Sequence, residues 1–458
     1  MNINKKEEIN LQSQKITIIG IGESGRGAAL LSKQLGANVF ISDKNVNSRN
    51  MRSKDKLIEL GIDVELGRHT NRIYDSELWI ISPGVPQNSE IVINALNKGI
   101  KIISEIEFAS WFTNKPIIGL TGSNGKTTTV NMLYEILQTD NFSPVLAGNT
   151  GFAFSRAILN DRNKNIDDRI YILELSSFQL ENIIHFKPFI SILLNITPDH
   201  QDRYSNMDAY VEAKLNITAN QDESDFMIYN ADDPILNDNC QNTNPKIFSF
   251  GLKDNSHNLL TADKDNIFEG KSSIIDLQKI ALTGKHNISN ILAAATAAKI
   301  LNVTNNQISM AISNFSGIEH RLEKVVINNG VAYYNDSKAT NIESVIAAIQ
   351  SFSSSIILIL GGKDKDNNFD ELIPFINKNV KKIISYGQAS NKISIALRDA
   401  VELDQVFSLR DAVELCQKSA APGDTILLSP GCASFDQFKN YEERGNEFKR
   451  LVNEMAQA

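Results

Sequence analysis

The chain has 458 residues, 42% of them hydrophobic and 22% charged, the balance of a soluble globular protein with room for about three domains. A formal net charge of −8 argues against a nucleic-acid or anionic-membrane partner, and no apolar run approaches the roughly 18–20 residues that span a bilayer. Cys240, Cys416 and Cys432 are far apart and form no Cys-x-x-Cys, which excludes a disulfide framework or a zinc site and suits a reducing cytosol.

Residues 1–14 are polar, without the apolar stretch of a signal peptide, so a short tail and a cytoplasmic location are expected. Ile16–Gly20 reads as a strand running into Gly20-Ile-Gly22-Glu23-Ser24-Gly25. A helix is expected from about Gly27 to Leu35, then a strand ending at Asp43. Glycines that admit a diphosphate, followed about 20 residues on by an acid, form a dinucleotide fingerprint. Another nucleotide's diphosphate, or a plain tight turn of an α/β fold, fits the same residues. Further strands at Leu78–Ser82 and Ile100–Ile103 complete a small α/β domain.

Ile117–Leu120 reads as a buried strand, Gly122-Ser123-Asn124-Gly125 as a tight turn, and Thr128–Leu137 as a helix, with Lys126 and Thr127 between. Backbone N–H groups of such a turn, and the positive end of the helix, cradle phosphates. Lys126 would reach the β/γ-phosphates, and the Thr127 hydroxyl would ligate Mg²⁺. The usual pattern has glycine six residues before the lysine. Here that position is Leu120, so the motif is a Gly-x-x-Gly-Lys-Thr variant. Tyr171–Leu175 is a strand with Glu174 near its C-terminal end, where P-loop folds place a magnesium carboxylate. The strand Phe189–Asn195 leads to Thr197-Pro-Asp-His200; on position alone His200 is as readily structural as a ligand. A helix from Met207 to Thr218 carries Lys214, a strand spans Phe226–Asn230, and residues 251–280 read as polar and irregular. Asn287 and Asn290 sit near the start of an Ala-rich helix, Ile288–Leu301, where polar groups can cap it or touch a nucleotide.

A third domain begins near Gly317. Its strands, Val331–Tyr334, Ile356–Leu360, Lys382–Tyr386 and Thr425–Leu428, end in loops rich in Lys, Ser and Thr. Strand–helix alternation predicts largely parallel sheets, whose ligands bind at the C-terminal strand ends. The fold class is therefore α/β with three domains: 1–114 Rossmann-like, 115–317 a P-loop-type ATPase domain, and 318–458 Rossmann-like. Closure around several ligands predicts hinges near residues 114 and 317. Taken alone, these residues describe an ATP-using enzyme with a second anion-binding domain.

Four stretches carry a resemblance: Thr121–Thr127, Gly148-Asn149-Thr-Gly151, Glu174-Leu-Ser-Ser-Phe-Gln179-Leu-Glu181 and Asn335-Asp336-Ser-Lys338-Ala-Thr340-Asn341. Together they resemble the Mur ligases of peptidoglycan synthesis. Ser429–Tyr441 with Arg444-Gly-Asn446 further resembles the branch of that family that adds D-glutamate. The likeness spans nearly the whole chain.

It implies an ADP-forming ligase in which ATP phosphorylates the carboxylate of UDP-N-acetylmuramoyl-L-alanine and the amine of D-glutamate attacks the acyl phosphate. It further implies that Gly122, Ser123, Asn124, Gly125, Lys126, Thr127, Thr128, Asn287, Asn290, Arg321, Asp336 and Lys338 hold ATP. Thr127 and Glu174 would bind one Mg²⁺, and His200 with a carbamoylated Lys214 a second. Lys126, His200 and Lys214 would be the catalytic set. Gly22, Glu23, Ser24 and Asp43 would take the uridine diphosphate end, and Asn149 and Gln179 the rest of that substrate. Thr340, Lys365, Ser434 and Tyr441 would bind D-glutamate; relatives often have Phe where Tyr441 stands. A monomer with no nucleic-acid or membrane partner is expected. Three rivals stay open: a nicotinamide dehydrogenase, which leaves Lys126 unexplained; an ATPase switch; and a neighbouring ligase of peptidoglycan or folate chemistry.

Overall fold

The computed structural model describes residues 9–197, 203–204, 206–241, 243–252, 258–280, 282, 284–315, 317–364 and 367–457. By its packing the chain divides into two compact units, residues 1–315 and 316–458. The first unit holds two parallel sheets. One consists of β1 (Lys15–Ile19), β2 (Asn38–Asp43), β3 (Asp63–Leu66), β4 (Leu78–Ile81) and β5 (Lys101–Ser104), in the order β3-β2-β1-β4-β5. Every residue of β4 is buried, as expected where helices cover both faces of a parallel sheet. The strand order reverses between β1 and β4, and ligands of open α/β sheets bind at such a point. Gly20–Ser24 and Ser82–Val85 lie there.

The first helix spans Glu23–Gln34, starting about four residues earlier than the sequence pattern suggests. Gly25 reads locally as a helix breaker, but tertiary packing requires it: a Cβ there would lie 1.9 Å from the Gly20 carbonyl oxygen. The glycine turn therefore opens directly onto the helix N-terminus.

The second sheet comprises β6 (Ile117–Thr121), β7 (Ser143–Gly148), β8 (Arg169–Glu174), β9 (Ile190–Leu193), β10 (Phe226–Asn230) and β11 (Lys246–Phe250), in the order β11-β10-β9-β6-β8-β7. All five residues of β6 are buried. The stretch read as irregular instead holds a small antiparallel sheet of β12 (Thr261–Ala262), β13 (Asn266–Glu269) and β14 (Ser272–Asp276). Its strands are short, and Ile267 and Ile275 supply its buried apolar side chains, so the alternation is too weak to read locally.

Near residue 114, where a hinge is expected, hydrogen bonds tie the helix Glu105–Ser110 to residues 182–186. The carboxyl of buried Glu107 accepts hydrogen bonds from the backbone N–H groups of Ile184 (2.9 Å), His185 (2.8 Å) and Phe186 (2.7 Å), and from the Trp111 indole (2.6 Å). The Ser104 N–H donates to the Asn182 carbonyl. Each buried donor left unpaired by motion here would cost about 1–3 kcal/mol.

Glu105, in the same helix (Glu105–Ser110), is also fully buried. It accepts a bond from the Ser155 N–H through Oε1, while Oε2 has no partner. Burial, reinforced by Glu23, pushes its carboxyl up from 4.5 to about 7. The folded state therefore holds this proton more tightly than the unfolded chain, so stability falls as pH rises from about 4.5 through 7. Glu105→Gln is expected to raise the stability of the first unit by about 2–3 kcal/mol at pH 8. The gain should vanish below pH 4.5, where both side chains are neutral. Denaturant midpoints measured across that range check it.

The second unit holds one six-stranded sheet: β15 (Glu323–Asn328), β16 (Val331–Asn335), β17 (Ile356–Gly361), β18 (Val380–Tyr386), β19 (Glu402–Val406) and β20 (Thr425–Gly431). Their order is β15-β16-β20-β17-β18-β19, with β15 alone antiparallel to its neighbour. β17 and β20 are buried throughout and form the centre of this core.

Candidate active site

The phosphate turn follows β6, and the helix Lys126–Ile136 begins at its lysine, two residues before the sequence pattern suggests. Gly125 caps that helix with φ 85°, and a Cβ there would lie 2.3 Å from Asn290 Oδ1. Asn290 is thus packed onto the turn from the helix Lys285–Ile300. Asn287 lies half-buried one turn earlier on the same helix.

Several groups hold the turn's shape. Asn195 Oδ1 accepts from the Asn124 N–H at 2.8 Å. Ser123 Oγ bonds the Thr197 backbone and lies 3.0 Å from the Tyr210 hydroxyl. Lys126 Nζ donates to the carbonyls of Gly122 (2.7 Å) and Ser123 (2.9 Å). Lys214, only 2% exposed, also donates to Gly122 O, at 3.0 Å, and lies over the Tyr210 ring. Two ammonium groups therefore converge on one carbonyl of the turn. Thr127 and Thr128 are buried in the first helical turn.

Glu174 ends β8, and its backbone pairs with Leu120, at the base of the turn. One carboxyl oxygen accepts from Asn149 Nδ2 at 2.8 Å. The other is buried with no partner. A buried oxygen of this kind, beside a phosphate-binding turn, suits a hard cation. Among the described residues no group of three or more His, Cys, Asp or Glu gathers as a metal cage. Mg²⁺ needs no such cage, because it keeps waters and takes one or two carboxylates plus substrate phosphates. Gln179, assigned to substrate from the sequence, uses its carboxamide oxygen in a capping box with Ser176. His200 lies outside the described residues.

At the first sheet's switch point, Gly22 and Glu23 are exposed, Ser24 is half-buried, and Glu23 pairs with Arg26. Asp43 Oδ2 accepts from the Ile21 N–H (2.9 Å) and Oδ1 from the Asn45 N–H (2.8 Å), so this acid also holds the glycine turn in place.

In the second unit, His320 and Leu322 flank Arg321 with φ of 64° and 45°, the left-handed region. Each such residue stores about 1–3 kcal/mol and persists only where its surroundings over-determine it. Here Glu323 Oε2 accepts from the His320 N–H, Asp336 Oδ1 from the Leu322 N–H, and His320 O from the Lys338 N–H. The strain presents Arg321 on the surface. Burial pushes the Asp336 carboxyl up to about 7, against the pull of its bond from Ser429 Oγ. Thr340 is half-buried and Ser434 is buried, both on loops at the C-terminal ends of strands. The Tyr441 ring packs edge-on against His320. Burial, and then Glu442, push the Tyr441 phenol up to about 12. Lys365 lies outside the described residues.

Sequence reasoning assigned no role to Arg444. Fully buried, it donates to Ser337 Oγ (2.9 Å), Ser337 O (2.8 Å) and Cys432 O (3.0 Å), tying together the two loops that carry Thr340 and Ser434. An arginine beside Gly-Asn in a terminal helix was the available signal.

Family models match the chain in three segments: a MurD N-terminal domain over residues 15–91, a Mur ligase middle domain over 120–298, and a Mur ligase, glutamate ligase domain over 320–432. A protein of Christiangramia forsetii named "UDP-N-acetylmuramoylalanine--D-glutamate ligase" is 39% identical, covering 96% of this chain and 100% of its own. The chain belongs to the Mur ligase family. A Bacteroides thetaiotaomicron protein of the same name is also 39% identical, over 96% of this chain and 100% of its own. Among solved structures, the UDP-N-acetylmuramate-alanine ligase MurC of Thermotoga maritima matches with a TM-score of 0.59 at 18% identity, covering 96% of this chain and 99% of that one. The MurF ligase of Thermotoga maritima in complex with ADP matches with a TM-score of 0.55 at 15% identity, over 99% and 98%. At these identities the structures speak for the fold, which is that of the Mur ligases. No helix among the described residues is long and apolar enough to cross a membrane.

Proposed function

We propose that this Mur ligase is the ADP-forming enzyme that adds D-glutamate to UDP-N-acetylmuramoyl-L-alanine in cytoplasmic peptidoglycan precursor synthesis, acting as a monomer. The end-to-end match to relatives of that name carries the reading. It absorbs both glycine turns, which a dehydrogenase or a simple ATPase switch does not. In it, residues 1–114 bind the UDP-sugar, 115–317 bind ATP, and 318–458 bind the amino acid.

A carboxylate is a poor electrophile, and phosphorylation gives it a good leaving group. The amine of D-glutamate then forms the amide as phosphate departs. Lys126 and the N–H groups of residues 122–128 neutralise the transferring phosphoryl. Glu174 and Thr127 would hold Mg²⁺, which supplies charge neutralisation at the phosphates. His200 and Lys214, the latter as a carbamate, are assigned a second ion; a carbamate is an anionic oxygen donor, which an ammonium is not. Asn287, Asn290, Arg321, Asp336 and Lys338 hold the nucleotide. Gly22, Glu23, Ser24, Asp43, Asn149 and Gln179 hold the UDP-sugar. Thr340, Lys365, Ser434 and Tyr441 hold D-glutamate.

The deciding experiment supplies Mg-ATP and UDP-N-acetylmuramoyl-L-alanine, then one amino acid at a time, and follows phosphate and amide product. Turnover with D-glutamate, and none with L-glutamate, L-lysine, diaminopimelate or L-alanine, is expected. Phosphate release independent of any amino acid would reject the ligase. Turnover with another amino acid would reject the roles given to Ser434 and Lys365.

A further inference from the structure

Arg203 has no part in the roles above, yet it joins the two crevices of the first unit. Its guanidinium is mostly buried, 12% exposed, like its partner Glu181. Nε and Nη2 clasp the Glu181 carboxyl at 3.2 and 2.7 Å. Nη1 donates to Pro83 O at 2.8 Å and Nη2 to Val85 O at 3.2 Å. These carbonyls flank Gly84, where an added Cβ would meet nothing within 4 Å, so the loop borders open space at the switch point of the first sheet. The guanidinium also lies 4.3 Å from the centroid of the Phe178 ring.

The contacts continue to the phosphate turn. Tyr204 donates to Glu181 Oε1 at 2.7 Å and packs against Tyr210 at 5.3 Å between ring centroids. The Tyr210 hydroxyl lies 3.0 Å from Ser123 Oγ in the turn itself. Arg203 therefore grips the loop of the first crevice and the Glu181 carboxyl after the helix that follows Glu174, and Glu181 in turn holds the aromatic pair that ends on the turn.

We propose that Arg203 is a positioning residue that fixes the loop 83–85 relative to the phosphate turn, so that a ligand in the first crevice presents its reacting end to the nucleotide in the second. This rests on the reading of these crevices as the UDP-sugar and ATP sites. Placement within about 1 Å matters, since a misplacement of that size can cost 100-fold in rate. Only a planar fork of N–H donors makes all four bonds at once, so lysine is not an equivalent.

The test uses the full chain and Arg203→Lys. Loss of these charge-assisted bonds is expected to raise KM for UDP-N-acetylmuramoyl-L-alanine about 10-fold or more and to lower kcat about 10–100-fold, with KM for D-glutamate within about twofold. A merely structural role would reduce the active fraction and leave every KM unchanged, which would overturn the proposal. A second readout does not depend on turnover. Mg-ADP should slow amide hydrogen exchange in the segment 78–89 of the wild type but not of the variant; equal behaviour in both overturns the link. If exchange responds as expected but wild type does not ligate D-glutamate, the substrate assignment fails and the link stands. Should Arg203→Lys not fold, Glu181→Gln must reproduce both effects, and a normal Glu181→Gln enzyme would overturn the proposal.

Discussion

Replacing Lys126 by alanine is expected to lower ligation by at least about 1,000-fold, the range seen when one fixed charge is removed from a phosphoryl-transfer site. The expected cost to folding is small. Two Nζ bonds of Lys126 go to the carbonyls of Gly122 and Ser123, four and three residues away, and the side chain is only half-buried. Losing such local bonds costs about 1 kcal/mol each or less. Other groups keep the turn in place: Asn195 holds the Asn124 N–H, Asn290 packs against Gly125, and Lys214 still bonds Gly122 O. In the resting enzyme the two carbonyls occupy the ammonium; with nucleotide bound, phosphate oxygens would replace them. The check pairs an unfolding curve close to wild type with phosphate release measured under saturating substrates. Retention of more than about one tenth of the wild-type rate would remove Lys126 from the chemistry.

How legible each feature was in the sequence follows from how local its cause is. The phosphate turn was readable because strand, glycines, lysine and helix are contiguous, and only the helix start moved. The first helix was read late because Gly25 was taken as the end of the glycine turn; its reason for being there is the Gly20 carbonyl behind it. Asp43 was read as a ribose acid from spacing alone. The structure adds that its oxygens also hold the N–H groups of Ile21 and Asn45, a role that spacing does not specify. The joint near residue 114 was read as a hinge because closure around several ligands needs one between domains. The Glu107 contacts that pin it come from residues 77–79 positions away. Arg203 is the extreme case. Its carbonyl partners lie 118 and 120 residues earlier and carry no side-chain signature at all.

Glu174→Gln should separate magnesium binding from folding. The substitution preserves size and leaves an amide oxygen able to accept the Asn149 bond. It replaces the unpartnered, buried oxygen with an NH₂ group, which cannot ligate a cation. If that oxygen is a magnesium ligand, the concentration of Mg²⁺ giving half-maximal activity should rise by about 10–100-fold or more. KM for D-glutamate should be unaffected, because that site is assigned to the other unit. Thermal stability without metal should stay level or rise, since a neutral amide costs less to bury than a carboxylate, and the retained oxygen keeps its Asn149 bond. A structural role alone predicts the reverse: lower stability at every metal concentration and an unchanged magnesium midpoint. A titration of activity against Mg²⁺, run beside melting curves in chelator, distinguishes the two, and an unmoved midpoint would place the ion elsewhere than at Glu174.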